Sequence, residues 1–127
     1  MDTIIETSLA TVTRTAVDRL EVHCHEHIYW SGSSIAEVLQ ARATLARGRP
    51  MKVLVVLPED LHFDTETLAT MHYDPDVMKQ HCLAEAWAVR NTLNEKITEL
   101  YFRYFPSPVP SAFFISGEEA IAWLDAQ

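Results

Sequence analysis

Three groups of side chains have the type and spacing to do chemistry. The first is Glu21-Val22-His23-Cys24-His25-Glu26-His27, in which every second residue from Glu21 to His27 is a carboxylate or an imidazole. On a strand, where side chains alternate between faces, Glu21, His23, His25 and His27 share one side. Imidazoles in such a row suit zinc, copper or nickel. A closed site also needs donors from another element, and His62, His72 and His81 are available. The same row equally serves as a polar strip facing water.

The second group centres on Glu85, in Leu83-Ala84-Glu85-Ala86-Trp87. If this is a strand, Leu83, Glu85 and Trp87 share a face. A carboxyl buried beside indole is then a candidate acid or base, as in a small hydrolase or isomerase. Alternatively, solvent or a second subunit covers that face. The third group is acidic, Glu59, Asp60, Asp64 and Glu66. It reads either as a docking surface or as a solvated loop with a helix cap.

Other chemistries find no support. Only 3 glycines are present, without a phosphate-cradling loop, and no Ser-His-Asp or Cys-His order can be argued. No cofactor is expected. A formal net charge of -8, with 10 basic residues and no basic block, argues against nucleic-acid binding. No apolar run approaches the ~18 residues of a membrane span, so no membrane partner is expected. Met1 to Leu9 carries Asp2 and Glu6 where a secretory leader would be basic and apolar. Cys24 and Cys82 are far apart and outside any paired metal or redox spacing, which suits reduced thiols in a cytoplasmic protein.

The elements that must position these residues are organised around Met51 to Leu57, a Val- and Leu-rich run with the pattern of a central strand covered on both faces. Function in open α/β sheets gathers at the carboxyl ends of such strands, here Pro58 to Leu68. Upstream, Thr7 to Thr15 and Arg19 to His25 form a hairpin across Ala16-Val17-Asp18, with Leu20, Val22 and Cys24 on one face. Tyr29 to Gly32 reads as a loop. Ser34-Ile35-Ala36-Glu37 has capping-box spacing, and Ile35, Val38, Leu39, Arg42 and Leu45 form a helical stripe closed by Gly48 and Pro50. Downstream, Asp64 caps a helix through about Met71, and Asp74-Pro75 starts another. Cys82 to Val89 reads as a buried strand. Asn91 or Thr92 opens a helix with an inward stripe of Leu93, Ile97, Leu100, Tyr101, Tyr104 and Phe105. Trp30 and Phe102 fall outside that stripe and are candidates to cover a dimer patch. Ser111 to Ile115 is a last strand. Ser116 caps a helix with Ala120, Ile121 and Leu124 inward.

With 127 residues, 48% of them hydrophobic, one domain with one core is expected over residues 1–127. The order β-β-α-β-α-β-α-β-α predicts an α/β fold with a mostly parallel sheet and an N-terminal antiparallel hairpin.

That order, with VLVVLPEDLHFDTETLA, resembles the SpoIIAA-like or STAS domain of anti-sigma-factor antagonists. IIETSLATVT, LQARATLARGRPMKVLVV and VPSAFFISGEEAIAWL are similar to a little-characterised bacterial branch of STAS-like proteins. The family motif, Phe-x-Asp-Ser-Ser-Gly-Leu, falls on Phe63 to Leu68: Asp64 on the Asp, Thr65 on the first Ser, Glu66 on the phosphoacceptor, Thr67 on the Gly and Leu68 on the Leu. Phe63 stands one place nearer the Asp, with His62 in its slot. Glu66 holds about one negative charge against the ~1.5–2 of a phosphate, leaving Thr65 and Thr67 as hydroxyl acceptors. The resemblance implies a non-enzymatic regulatory or protein-interaction module that forms homodimers. Its partner surface would be Glu59, Asp60, Asp64, Thr65, Glu66, Thr67 and Leu68. The alternative is a small-molecule or metal-binding protein using the open sheet face of Glu21, His23, His25 and His27, with Glu85 as a further candidate and His23, His25 and His27 as metal donors.

Overall fold

The computed structural model describes residues 3–127, so Met1 and Asp2, which entered the reading against a leader, lie outside the described residues. The chain begins with β1 (Ile4–Glu6), β2 (Ala10–Ala16), β3 (Arg19–Cys24) and β4 (Tyr29–Trp30), followed by α1 (Gly32–Ala46) and β5 (Met51–Val56). Next come β6 (His62–Phe63), α2 (Thr65–Leu68), α3 (Pro75–His81) and β7 (Cys82–Ala88). It ends with α4 (Thr92–Tyr104), β8 (Ser111–Phe114) and α5 (Gly117–Asp125). No helix is long and apolar enough to cross a membrane among the described residues.

Six strands form one sheet in the order β1-β2-β3-β5-β7-β8. The first two pairings are antiparallel, and β3·β5, β5·β7 and β7·β8 are parallel. This is the expected hairpin leading into a parallel sheet, with β1 as an added edge. Strand β5 sits inside the sheet because both its faces are apolar. Met51, Val53 and Val55 enter the core shared with Leu20, Val22 and the α1 residues Val38 and Leu45. Leu54 enters a second core with Ala84, Ala86, Ala120 and Leu124. Helices α1 and α3 therefore cover one face and α5 the other, where Asp125 pairs with Arg19. Cys24 and Cys82 are free thiols.

Local differences have identifiable causes. Helix α1 starts a turn early because Ser31 caps it: Ser31 Oγ accepts from the Ser34 N–H at 3.2 Å, and Ser34 Oγ accepts from the Ser31 N–H at 2.9 Å. Glu37 instead accepts from Ser8. Tyr29–Trp30, expected in a loop, pair in parallel with His62–Phe63 as a second small sheet. Asp64 caps α2 as expected, but that helix ends at Leu68. The Thr70 hydroxyl donates to the Glu66 carbonyl at 2.6 Å, and the His72 ring lies 2.6 Å from the Thr67 carbonyl. Those side chains occupy carbonyls that a longer helix would use.

Helix α4 is rotated from the expected stripe. Leu93, Leu100 and Tyr104 are exposed, at 69%, 40% and 73%, while Asn94 and Thr98 are buried. Asn94 Nδ2 donates to the carbonyls of Pro58 (3.1 Å) and Glu59 (2.7 Å), and Thr98 Oγ1 donates to the Asn94 carbonyl at 2.8 Å. Turned this way, Asn94 satisfies the buried Pro58 carbonyl at the carboxyl end of β5, where an unpaired acceptor would cost about 1–3 kcal/mol. In α5, Ala120 and Leu124 face inward, but Ile121 sits at the rim with 36% exposed.

This orientation sets a test. Asn94→Ala should cost about 1–3 kcal/mol, whereas Leu93→Ala should stay within about 0.5 kcal/mol. Urea unfolding of the two variants reads the difference, and the opposite order would restore the apolar-stripe orientation.

Candidate functional site

Above β5 and β7, on the α1 side, the helices leave a cavity of about 140 Å³. Its walls come from elements distant in sequence: Ile35 and Leu39 of α1, Leu61, Phe63 and Leu68 around β6 and α2, and Ile97, Tyr101 and Phe102 of α4. The α1 residues reach it through the i, i+4 stripe read from the sequence. Leu61 and Phe63 reach it because alternate residues of an extended segment face one way. Trp30 and Phe102, expected to cover a surface patch, point into this cavity. Phe102 stacks edge-on against Trp87 with ring centroids 5.4 Å apart. Tyr101 is fixed by its hydroxyl, which donates to the Thr70 carbonyl at 2.8 Å.

Two charged groups line this apolar space. Arg42 and Glu85 are both buried, and Arg42 Nη2 lies 2.7 Å from Glu85 Oε2. Burial opposes the charge on Arg42, but Glu85 and Cys82 together more than offset it, so the guanidinium is held above its ordinary range. Trp87 Nε1 donates to the other Glu85 oxygen at 3.2 Å. Trp30 Nε1, Arg42 Nε and Nη2, and Glu85 Oε2 are buried atoms without a hydrogen-bond partner among the described residues, so Arg42 and Glu85 meet as an ion pair. Because nearly all buried polar atoms in folded proteins are hydrogen-bonded, such a cluster among cavity-lining residues is unusual.

Around the pair the ionisable groups are tuned away from reactivity. The Cys82 thiol is pushed up to about 12, by burial first and Glu85 second. Tyr73 is also pushed up to about 12, mainly by burial, and its hydroxyl donates to the Phe105 and Pro106 carbonyls. His81 is held below its ordinary value, by burial first and Arg42 second.

The residues singled out from sequence separate into distinct places. Glu85 and Trp87 share a strand face as expected, and that face carries the cavity. It is opposite the face bearing Glu21 and His23, so Glu85 does not belong with them. The histidine row is broken: His23 pairs with Glu21 at 2.9 Å and His25 with Glu6 at 3.4 Å. Strand β3 stops at Cys24, and His27, with φ of 59°, turns towards Asp60 and His62. The acidic segment has two sides. Glu59, Asp60, Asp64, Thr65 and Glu66 are exposed, while Thr67 and Leu68 turn inward to the cavity wall. Asp64 is held below the usual carboxylate range chiefly by the Thr67 N–H and hydroxyl, with the Tyr29 hydroxyl adding to this.

Arg42 was not singled out as a site residue. Its signal was present: a cation inside an apolar stripe, and a carboxylate inside an apolar strand. Two opposite charges in positions that both pattern as buried imply each other, because neither is stable there alone.

Over residues 9–127 the chain matches the family described as Domain of unknown function (DUF7793), and it belongs to that family. No curated protein matches it. Among solved structures it is similar to an uncharacterized protein of the DUF3478 family from Shewanella loihica PV-4, described as having a SpoIIAA-like fold. The TM-score is 0.56 at 14% identity, over 98% of each chain. That likeness carries the fold, and the SpoIIAA-like reading of the element order holds.

Breaking the buried pair should be costly and removing it should not. Arg42→Met or Glu85→Leu alone should lose about 3–5 kcal/mol, and the double variant should recover most of that. Chemical denaturation measures the cycle, and additive losses would mean that the two groups are not coupled. His81 adds a pH signature. Its folded value lies below the ordinary 6.5, so the unfolded chain takes up the proton first. Its contribution should be complete above about 6.5 and lost as pH falls through the folded value. His81→Gln should flatten that slope in melts recorded across the window.

Proposed function

We propose that this member of the DUF7793 family is a non-enzymatic binding module. In this reading it takes a small, mainly apolar molecule into the cavity and presents the outer face of the same wall to a protein partner. The observation that carries the reading is the construction of residues 59–68. Leu61, Phe63, Thr67 and Leu68 line the cavity, while Glu59, Asp60, Asp64, Thr65 and Glu66 face solvent on the same short segment. Occupancy of the inside therefore bears directly on the residues available outside. The acidic face suits a basic partner surface, and Glu66 supplies fixed charge where related motifs carry a phosphorylatable serine.

The ligand class follows from size and charge. An apolar cavity of about 150 Å³ accepts a benzene-sized molecule, and this one is about 140 Å³. Arg42 is already neutralised by Glu85, so a ligand carboxylate would meet Glu85 without a free cation. The unpaired donor Trp30 Nε1 instead calls for a neutral acceptor oxygen, such as a carbonyl or hydroxyl. The best fit is a compact aromatic or branched aliphatic group with one such oxygen.

Titration of the protein with benzyl alcohol, acetophenone, benzoate and benzylammonium tests this, followed by tryptophan fluorescence, since Trp30 and Trp87 line the cavity. The two neutral compounds should bind saturably and the two ions at least tenfold more weakly, a difference of ~1.4 kcal/mol. Leu39→Trp and Thr98→Phe, which fill the cavity, should abolish the response. Equal response to all four, or a response that survives both filling variants, would sink the cavity reading.

A further inference from the structure

The β3–β4 and β5–β6 connections meet at the carboxyl end of the sheet, outside the apolar cavity. One potential ligating atom from each of His27, Asp60 and His62 lies within 4.8 Å of the other two. We propose that these three residues form a binding site for a divalent transition metal of the zinc class. The site does not rest on the cavity reading, because its side chains point away from the cavity.

Four observations support it. The donor set is two imidazoles and one carboxylate, which suits Zn²⁺, Co²⁺ or Ni²⁺ rather than the oxygen-seeking Mg²⁺ and Ca²⁺. The donors come from two separate connections, so their convergence is a product of the fold and not of spacing along one strand. Their backbones are held from outside the cluster. Both Glu26 carboxylate oxygens accept from the Glu59 N–H, at 3.0 and 3.1 Å, tying the residue before His27 to the residue before Asp60. Asn91 and Asn94 donate to the Glu59 carbonyl at 2.9 and 2.7 Å, and His62 pairs with Tyr29 across the small sheet. Finally, His27 adopts a left-handed backbone, φ 59°, and a ring nitrogen lies within 4.8 Å of ligating atoms of Asp60 and His62.

The closing distance is small. Donors about 2 Å from a tetrahedral metal stand about 3.3 Å apart, and all three residues are exposed. Three protein donors leave at least one position for water or an external ligand, the arrangement of an open rather than a sealed structural site. Bound metal would cross-link the two connections and fix Leu61, which lies between Asp60 and His62.

The test uses tag-free, chelator-treated full-length protein, titrated with zinc chloride by calorimetry and with cobalt(II) by visible absorption. One equivalent of zinc should be taken up, and cobalt should give ligand-field bands. His27→Ala and His62→Ala should each weaken zinc at least tenfold and remove the cobalt bands. The double variant His23→Ala, His25→Ala should bind like wild type. Thermal melts of the metal-free His27→Ala and His62→Ala variants should match wild type, because both positions are exposed. The proposal is overturned by absence of zinc uptake, by uptake unchanged in His27→Ala and His62→Ala, or by uptake lost in the His23, His25 double variant.

Discussion

The contact between Arg42 and Glu85 is the constraint on which the rest of this structure depends. It joins the middle of α1 to the middle of β7 across the α1 side of the sheet, at 2.7 Å and out of water. Desolvating two charges costs several kcal/mol per ion and is offset only when the partners meet in good geometry. Helix α1 therefore cannot slide along the sheet without separating them. The pair also bears on its surroundings: it keeps a polar centre beneath an otherwise apolar cavity, and Arg42 adds to the burial that disfavours the charged form of His81, against an opposing effect of Glu85. A hydrophobic core could fill the same space with equal stability. The ion pair instead specifies one register of helix on sheet and leaves directional donors in the cavity wall.

The second organising feature is the strip from Pro58 to Leu68. Its start is anchored by Asn91 and Asn94, its middle by pairing with β4, and its end by the Asp64 cap. Alternation along it divides apolar residues from acidic ones and imidazole, so each side has a separate chemistry. Both the cavity and the His27, Asp60, His62 cluster depend on that division. A shared fold with an uncharacterized SpoIIAA-like protein does not decide between uses, since function belongs to sites and not to folds.

Much of this was legible in the sequence. The double-faced run Met51 to Leu57 gave the central strand. The caps at Asp64, Asp74, Asn91 and Ser116 fall where their residue types put them. Glu85 beside Trp87 was correctly placed on one strand face. What was not legible depended on tertiary partners. Nothing local says that Asn94 will find the Pro58 and Glu59 carbonyls, so periodicity placed Ile97 and Tyr101 inward correctly but took Leu93, Leu100 and Tyr104 with them. Nothing local stops the histidine row at Cys24 and sends His27 to Asp60. The two-residue strands β4 and β6 carry too few residues for alternation to register. Ser31 competes with Ser34 for the cap of α1, and the earlier serine prevails by making both hydrogen bonds of the box.

The sheet ends in strands of very different length from its centre. Strand β1 has three residues and β8 four, against seven in β2 and β7. Unpaired backbone groups on a sheet edge are templates for runaway strand addition, and short edges are one way in which natural sheets suppress it. Here the long, Val- and Ala-rich strands that would be hazardous if exposed are kept inside, each paired on both sides. The edges that remain offer only three or four residues each for a further strand to pair with.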